Sequence, residues 1–213
     1  MIDMGQERGK FVVLEGGSGC GKSTQFSYLL NLLSEEKNWS HTREPGRTIF
    51  GEKIRYLVQD EKDKKMSIHP YAALFAYSAS RANLIRGFVI PQINSGGNVL
   101  QDRYWFSTFA YQGAEGVSKP VIWLVSAIAT RMLKPDLVIH YDVLPEIGMQ
   151  RKMDAIDSDR YDEMQLEFYR KVRKNYFQIR KFYPGIWQTI DASQTREKVF
   201  EDTKRVLSEF SII

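Results

Sequence analysis

The order of short apolar runs and helix-periodic segments predicts an α/β fold, with a central parallel sheet of about five strands flanked by helices. Three observations carry this expectation. Short β-branched or aromatic runs end on a carboxylate or a glycine cluster, and each is followed by apolar residues at helical spacing. Strands and helices alternate along the chain, and parallel strands need helical crossovers of the kind the intervening segments supply. Ligands bind beyond the carboxyl ends of such strands, so the residues that follow each strand are the functional candidates.

Phe11-Val12-Val13-Leu14 is the first strand, and it stops at the glycine cluster Gly16 to Gly21. The segment after it repeats apolar residues at Phe26, Leu29, Leu30 and Leu33, a one-faced helical stripe, and ends in the polar stretch Ser34 to Asn38. Ile54, Leu57 and Val58 predict a short helix. Residues 71–90 predict a longer one, opened by Pro70, whose fixed φ and missing N–H suit a first turn. Gly96-Gly97 turns the chain into a strand at Val99-Leu100 that runs into Asp102. Residues 118–133 read as helix, Leu137 to Asp142 as strand, and Pro145 starts the next helix. Residues 162–182 carry Leu166, Tyr169, Val172, Tyr176 and Ile179 at helical spacing. Trp187 to Ile190 is a last strand before a helix that closes at Phe210.

A chain of 213 residues, 43% hydrophobic and 26% charged, matches one globular domain spanning 1–213 rather than a disordered or fibrous one. The balance of 30 Lys and Arg against 26 Asp and Glu gives +4. No basic block of the size that marks a nucleic-acid tail occurs, and Arg170 to Lys174, with Glu167 nearby, reads as a solvated helix face. A small positive excess suits a cleft that handles polyanionic small molecules. No apolar stretch is long enough to span a bilayer, Met1 to Lys10 lacks the apolar centre of a secretory signal, and the single cysteine, Cys20, makes no internal disulfide. The expectation is a cytoplasmic protein with neither a membrane nor a nucleic-acid partner.

Gly16, Gly17, Ser18, Gly19, Cys20, Gly21, Lys22 and Ser23 fit G-x-x-x-x-G-K-[ST], between a predicted strand and a predicted helix, and Thr24 continues the helix. The glycines let consecutive N–H groups face a polyphosphate, and the helix N-terminus adds partial positive charge. Lys22 is then the residue for the β and γ oxygens, and the Ser23 hydroxyl for Mg²⁺. Cys20 reads as a small residue fitted among backbone turns, with a second reading as a thiol of lowered pKa at a helix N-terminus. Neither N-K-x-D nor D-x-x-G occurs, so ATP rather than GTP is the expected nucleotide.

The remaining motifs resemble those of the bacterial thymidylate kinase family, in the family's order, from Phe11 to about residue 203. Gly21-Lys22-Ser23-Thr24-Gln25 is similar to the family's GKTTQ, Thr42 to Gly46 matches TREPG, and Gly51 to Arg55 matches GExIR. Leu74 to Arg81 is similar to LLLFAASR. Asp102-Arg103-Tyr104 with Ser107-Thr108 and Ala110 to Gly113 is similar to the stretch DRY…SS.AYQG. Pro135-Asp136-Leu137, Asp142 to Glu146 and Asp159-Arg160-Tyr161 resemble PDL, DVDPE and DRIE. The resemblance implies a P-loop nucleoside-monophosphate kinase fold with a short mobile lid at about 150–162, phosphorylation of dTMP by ATP with Mg²⁺, and a homodimer. Apolar residues of 70–90 and 118–133 are the candidate interface.

Read by chemistry, Asp102 at a strand end beside the phosphate loop reaches Mg²⁺, and the Arg103 guanidinium can hold a transferring phosphate bidentately. The resemblance gives Arg103 to the acceptor's phosphate. Tyr77 and Arg81, four apart on one helix face, suit stacking on a base and donation to its carbonyl, and Phe75 is expected in the core. Gln112 is donor and acceptor at once, and the resemblance gives its position the O4/N3 edge of thymine. Ser107, Thr108, Arg55, Glu44 and Pro45 complete the expected acceptor contacts. The phosphate loop lacks the arginine some relatives carry there, so Arg151 and Arg160 of the lid are the expected extra cations. Three positions depart from the family's pattern: Ser18 stands where an acid is common, Arg47 replaces a glycine, and Trp105-Phe106 is bulkier than usual. The alternatives are a kinase for another nucleotide, a deoxynucleoside kinase using Glu15 as base, or a non-catalytic nucleotide-binding protein.

Overall fold

A computed structural model of the chain describes residues 7–34, 36, 38–60, 67–153 and 165–213. In chain order its elements are β1 (Phe11–Gly16), α1 (Lys22–Ser34), β2 (Trp39–Arg43), α2 (Ile49–Arg55), α3 (Pro70–Leu84) and α4 (Ile90–Asn94). They continue with β3 (Asn98–Asp102), α5 (Trp105–Ala114), α6 (Lys119–Thr130), β4 (Leu137–Asp142), α7 (Pro145–Met153), α8 (Leu166–Ile179), β5 (Trp187–Asp191) and α9 (Arg196–Glu209). Among the described residues the strands form one five-stranded sheet in the order β2-β3-β1-β4-β5, and every pairing is parallel.

The sheet splits the core by side-chain alternation. Phe11, Val13, Val99 and Val138 point into one layer, with residues of α3, α5, α6 and α8, whereas Val12, Leu14, Leu100, Leu137 and Ile139 point into the other, with α1 and α9. β1 lies centrally and is buried at all six positions, which is why Phe11-Val12-Val13-Leu14 reads as an unbroken apolar run. β2 has no such run: Trp39-Ser40-His41-Thr42-Arg43 is an edge strand in which only Thr42 is buried, so periodicity alone does not reveal it. Helix α5 is likewise absent from the sequence-based expectation, because Trp105, Phe106, Phe109 and Tyr111 are residues as typical of strands.

The predicted helix over 71–90 extends from Pro70 to Asn94 but passes through a π-helical turn at Ile85–Val89. Pro91 has no N–H for the Gly87 carbonyl, and its ring would clash there in a regular helix, so the wider turn accommodates it. Phe75 is not in the core; its side chain is 55% exposed on the outer face of α3. Trp105 and Phe106 do join the core, in an aromatic cluster with Trp123, Tyr183 and Trp187. The basic run on α8 is anchored rather than merely solvated: Arg170 pairs with Glu146 and Arg173 with Asp142, both at 2.7 Å. Among the described residues no helix is long and apolar enough to cross a membrane.

Candidate active site

The parallel topology brings the C-terminal ends of β1, β2 and β3 side by side, and each ends in functional residues. Register sets Leu14 opposite Asp102 and Arg43 opposite Asp102, so the turns after all three strands open on one cavity of about 830 Å³. Gly17 to Gln25 line one end of it. Gly19 and Gly21 have φ of 69° and 81°. A Cβ on Gly19 would lie 1.9 Å from the Gly148 carbonyl oxygen of α7, so the loop fits against that helix only as glycine. Gly16 itself ends β1, and its carbonyl accepts from Arg103 at 3.2 Å.

Lys22 is 6% exposed and its Nζ donates to Asp102. Burial works against the Asp102 charge, but Lys22 and Arg103 outweigh it and hold the carboxyl below the usual carboxylate range. Cys20 is buried, and burial pushes its thiol up despite Lys22 nearby, which corrects the reading of a readily ionised thiol. It packs with Val12, Leu14 and Tyr141 as a small apolar side chain.

At the next station Glu15 organises the turn after β3. Its carboxylate accepts from the backbone N–H groups of Tyr104 (2.8 Å) and Ser107 (3.2 Å), from Ser107 Oγ (2.6 Å) and from the Tyr176 hydroxyl (3.0 Å). It is fully buried and does not line the cavity. A carboxylate enclosed in this way is not placed to deprotonate a 5′-hydroxyl, and the deoxynucleoside kinase alternative loses its base. Arg103 sits at φ 67°, a left-handed conformation uncommon outside glycine, and its guanidinium donates to Ser107 Oγ at 2.9 Å. It also lies 5.4 Å from the Tyr111 ring.

The far end of the cavity is built on a buried ion pair. Arg81 Nε donates to Glu44 Oε2 at 2.6 Å, and the second Glu44 oxygen accepts from Gln101 Nε2 at 2.9 Å. One terminal nitrogen of Arg81 donates to Thr108 Oγ1 at 2.9 Å; the other, Nη1, is buried with no partner, in a residue that lines the cavity. Burial pushes the Glu44 carboxyl up to about 7, against the pull of Arg81. Pro45, Arg55, Tyr77 and Gln112 line the same region, and Gln112 Nε2 donates to Glu115 at 3.0 Å. The Glu44–Pro45 peptide is cis.

The structure therefore brings together Lys22, Asp102, Arg103, Ser107, Thr108, Gln112, Glu44, Pro45, Arg55, Tyr77, Arg81 and Arg151 around one cavity. Arg151, at the end of α7, donates to the carbonyls of Ala192 and Ser193 after β5 rather than pointing freely inward. Arg160 and most of the stretch 150–162 lie outside the described residues. Arg47 does not line the cavity: at φ 63° it turns outward, donates to the His41 carbonyl at 2.9 Å and stacks on Phe88. Sequence reasoning missed the wall residues Tyr111, Gln59, Gln194 and Arg196, and also Gln101 and Tyr176, which do not line the cavity but bond to Glu44 and Glu15 behind it. Tyr111 was within reach, since it lies inside the AYQG motif; Tyr176 was visible only as a member of an apolar stripe.

A phosphate loop at the end of a central parallel strand, sharing one cavity with Arg55, Arg81 and Arg103, is the arrangement of a P-loop nucleoside-monophosphate kinase fold. A family profile described as thymidylate kinase matches residues 14–203. The thymidylate kinase of Thermoanaerobacter sp. (strain X514) is 36% identical over 205 residues, covering 95% of this chain and 99% of the relative. That of Carboxydothermus hydrogenoformans is 36% identical over 203 residues, covering 94% and 97%. The crystal structure of thymidylate kinase from Ehrlichia chaffeensis superposes with a TM-score of 0.74 at 27% identity, covering 94% of this chain and 99% of that one. The chain belongs to the thymidylate kinase family, and its class is that of the nucleoside-monophosphate phosphotransferases.

Proposed function

We propose that the chain transfers the γ-phosphoryl group of ATP to dTMP, giving dTDP and ADP. The observation that carries this reading is the continuity of one cavity from the phosphate loop through Arg103 to the buried Arg81–Glu44 pair, which gives donor and acceptor a common space. Phosphoryl transfer asks for alignment and positive charge rather than a strong base, because the monophosphate acceptor is already ionised near neutral pH. The phosphate-loop N–H groups and Lys22 hold the β and γ phosphates, and Arg103 orients the acceptor's phosphate in line. Arg151, once released from the Ala192 and Ser193 carbonyls, and Arg160 are the further cations assigned to the transferring group.

The donor set of the Ser23 hydroxyl and the Asp102 carboxylate suits Mg²⁺, which keeps several waters and takes one or two protein ligands beside substrate phosphates. Bound there, Mg²⁺ would neutralise charge on the phosphates. Release of Lys22 from Asp102 toward the nucleotide frees the carboxylate for that role. At the base end, Arg81 Nη1, buried without a partner, is a donor awaiting a carbonyl. Gln112 reads the O4/N3 edge, Tyr77 stacks on the ring, and Thr108, Arg55 and Pro45 complete the wall. Ser18 offers a hydroxyl, without charge, to the acceptor's sugar.

The same reading places the enzyme in the cytoplasm and makes it a homodimer. Support for the dimer is the outer face of the packed helices α3 and α6, where Phe75, Leu124 and Ile128 are each more than half exposed. The test is ADP release with ATP and Mg²⁺ across dTMP, dUMP, dCMP, dGMP, UMP and thymidine. Strong turnover with dTMP, weaker with dUMP and negligible with thymidine is the expected pattern. Turnover with thymidine or another monophosphate, and none with dTMP, would overturn the acceptor assignment while leaving the phosphate loop in place.

A further inference from the structure

Gln101 is the third residue of the VLQD segment of β3, opposite Val13 in the register, with a side chain that shares the layer of Val13 and Val99. It is completely buried. An amide in an apolar layer is unfavourable unless its donors are satisfied, and a valine or leucine there would continue the row. Both donor contacts lead into the site. Nε2 donates to Glu44 Oε1 at 2.9 Å and to the backbone carbonyl of Arg103 at 3.0 Å, while Oε1 has no partner. The amide is thus placed for what it donates to.

The two acceptors lie side by side but belong to residues that serve different parts of the acceptor's space. Glu44 fixes Arg81, the guanidinium at the base end, through the 2.6 Å contact. Arg103, held in a left-handed backbone conformation, carries the guanidinium that binds Ser107 Oγ and the Gly16 carbonyl beside the phosphate loop. A carbonyl at such a residue keeps its direction only where the surroundings hold it. We propose that Gln101 is a positioning residue for acceptor binding: its one buried amide ties the Glu44–Arg81 pair to the Arg103 backbone, so both ends of the nucleotide are met by one rigid unit. The inference rests on the reading of this cavity as the acceptor site.

Gln101→Met keeps length and volume but removes both hydrogen bonds; Val99→Ala, one pleat earlier in the same row, removes packing and touches neither arginine. Initial rates over dTMP at saturating ATP, and over ATP at saturating dTMP, separate the two effects. For Q101M the KM for dTMP rises about tenfold and kcat falls, while the KM for ATP stays within about twofold. V99A lowers the Tm and leaves both KM values unchanged. A KM does not depend on the fraction of enzyme that is folded, so the comparison holds where Q101M is less stable. Gln101→Asn, one methylene too short to span both acceptors, gives the same readout should Q101M fail to accumulate. Unchanged KM values in both Gln101 variants, with or without a lower Tm, would reduce Gln101 to a packing residue and overturn the proposal. If the native enzyme does not turn over dTMP at all, the acceptor reading itself is wrong, and the positioning role falls with it.

Discussion

At the scale of single residues the site works by leaving specific buried groups incompletely paired. Arg81 spends two of its nitrogens on Glu44 and Thr108 and holds a third unpartnered in the cavity wall. Its removal therefore has two effects: the acceptor loses a charged donor, and Glu44 is left buried without its counter-ion. Arg81→Met is expected to lower kcat/KM for dTMP at least about 100-fold while the KM for ATP stays near the native value. Equal losses against both substrates would mean that Arg81 acts only on the fold. His140, on β4, is a second residue-scale case. Burial pushes it down to about 4, its Nδ1 has no partner, and it sits against the rings of Tyr176, Phe177 and Trp187. The fold thus favours the neutral imidazole, a contribution fully present above the free value near 6.5 and lost as pH falls toward 4. The full span amounts to roughly 3 kcal/mol. Over the same range Glu44, pushed up to about 7, stabilises the fold as pH falls and so works in the opposite sense. The His140 contribution is therefore read as a difference: in melting curves the Tm of the native chain relative to that of His140→Phe, which fits the same aromatic slot, should fall between pH 7.5 and 5. Parallel profiles would sink this account.

Elements matter chiefly through how closely they approach. The turn between β1 and α1 touches α7 at Gly19 and Gly148, where no Cβ can be inserted. Gly19→Ala would force apart the phosphate loop and the helix that leads toward 150–162, on top of a φ of 69° that disfavours any side chain. The expected result is a rise in the KM for ATP of about tenfold or more, together with a lower Tm. An alanine variant that binds ATP as tightly as the native chain, by calorimetry, would contradict it. Helix α5 is fixed differently, because Glu15 at the end of β1 accepts hydrogen bonds from the Tyr104 and Ser107 N–H groups at its start. One buried carboxylate thereby orients the helix that presents Ser107, Thr108, Tyr111 and Gln112 to the cavity.

Across the whole molecule, the sheet keeps its chemistry at one end, and the outer face of α3 and α6 carries apolar surface. Phe75 on α3, Leu124 and Ile128 on α6 and Met132 just beyond it are 55%, 63%, 64% and 75% exposed. A second copy of the chain would cover them, as the dimer reading requires. Sedimentation velocity at micromolar concentration should show a dimer for the native chain and a monomer for the L124E/I128E double variant. A native monomer would remove the dimer from the reading and leave the cavity untouched.

The sequence by itself determined the phosphate loop and four of the five strands, because these depend on local patterns: a Gly-Lys-Ser turn after an apolar run and carboxylates at strand ends. It marked Tyr77 and Arg81 by helical spacing, but Glu44, Pro45, Arg55 and Gln112 only through motifs that resemble the family's. It did not reveal β2 or α5, whose residues lack a decisive period, and it placed Phe75 inside when its face of α3 lies open. It also read Glu15 only as the base of an alternative activity, and it passed over Gln101. Their roles were decided only by the tertiary structure: β1 and β3 had to pair in parallel, and β2 to join their edge, before Glu15 could meet the Tyr104 N–H or Gln101 the Glu44 carboxylate. A buried polar side chain is meaningful through its partners, and these lie 57 residues away for Gln101 and 89 for Glu15. Distances of that kind along the chain are set by the order of strands in the sheet, not by any local pattern.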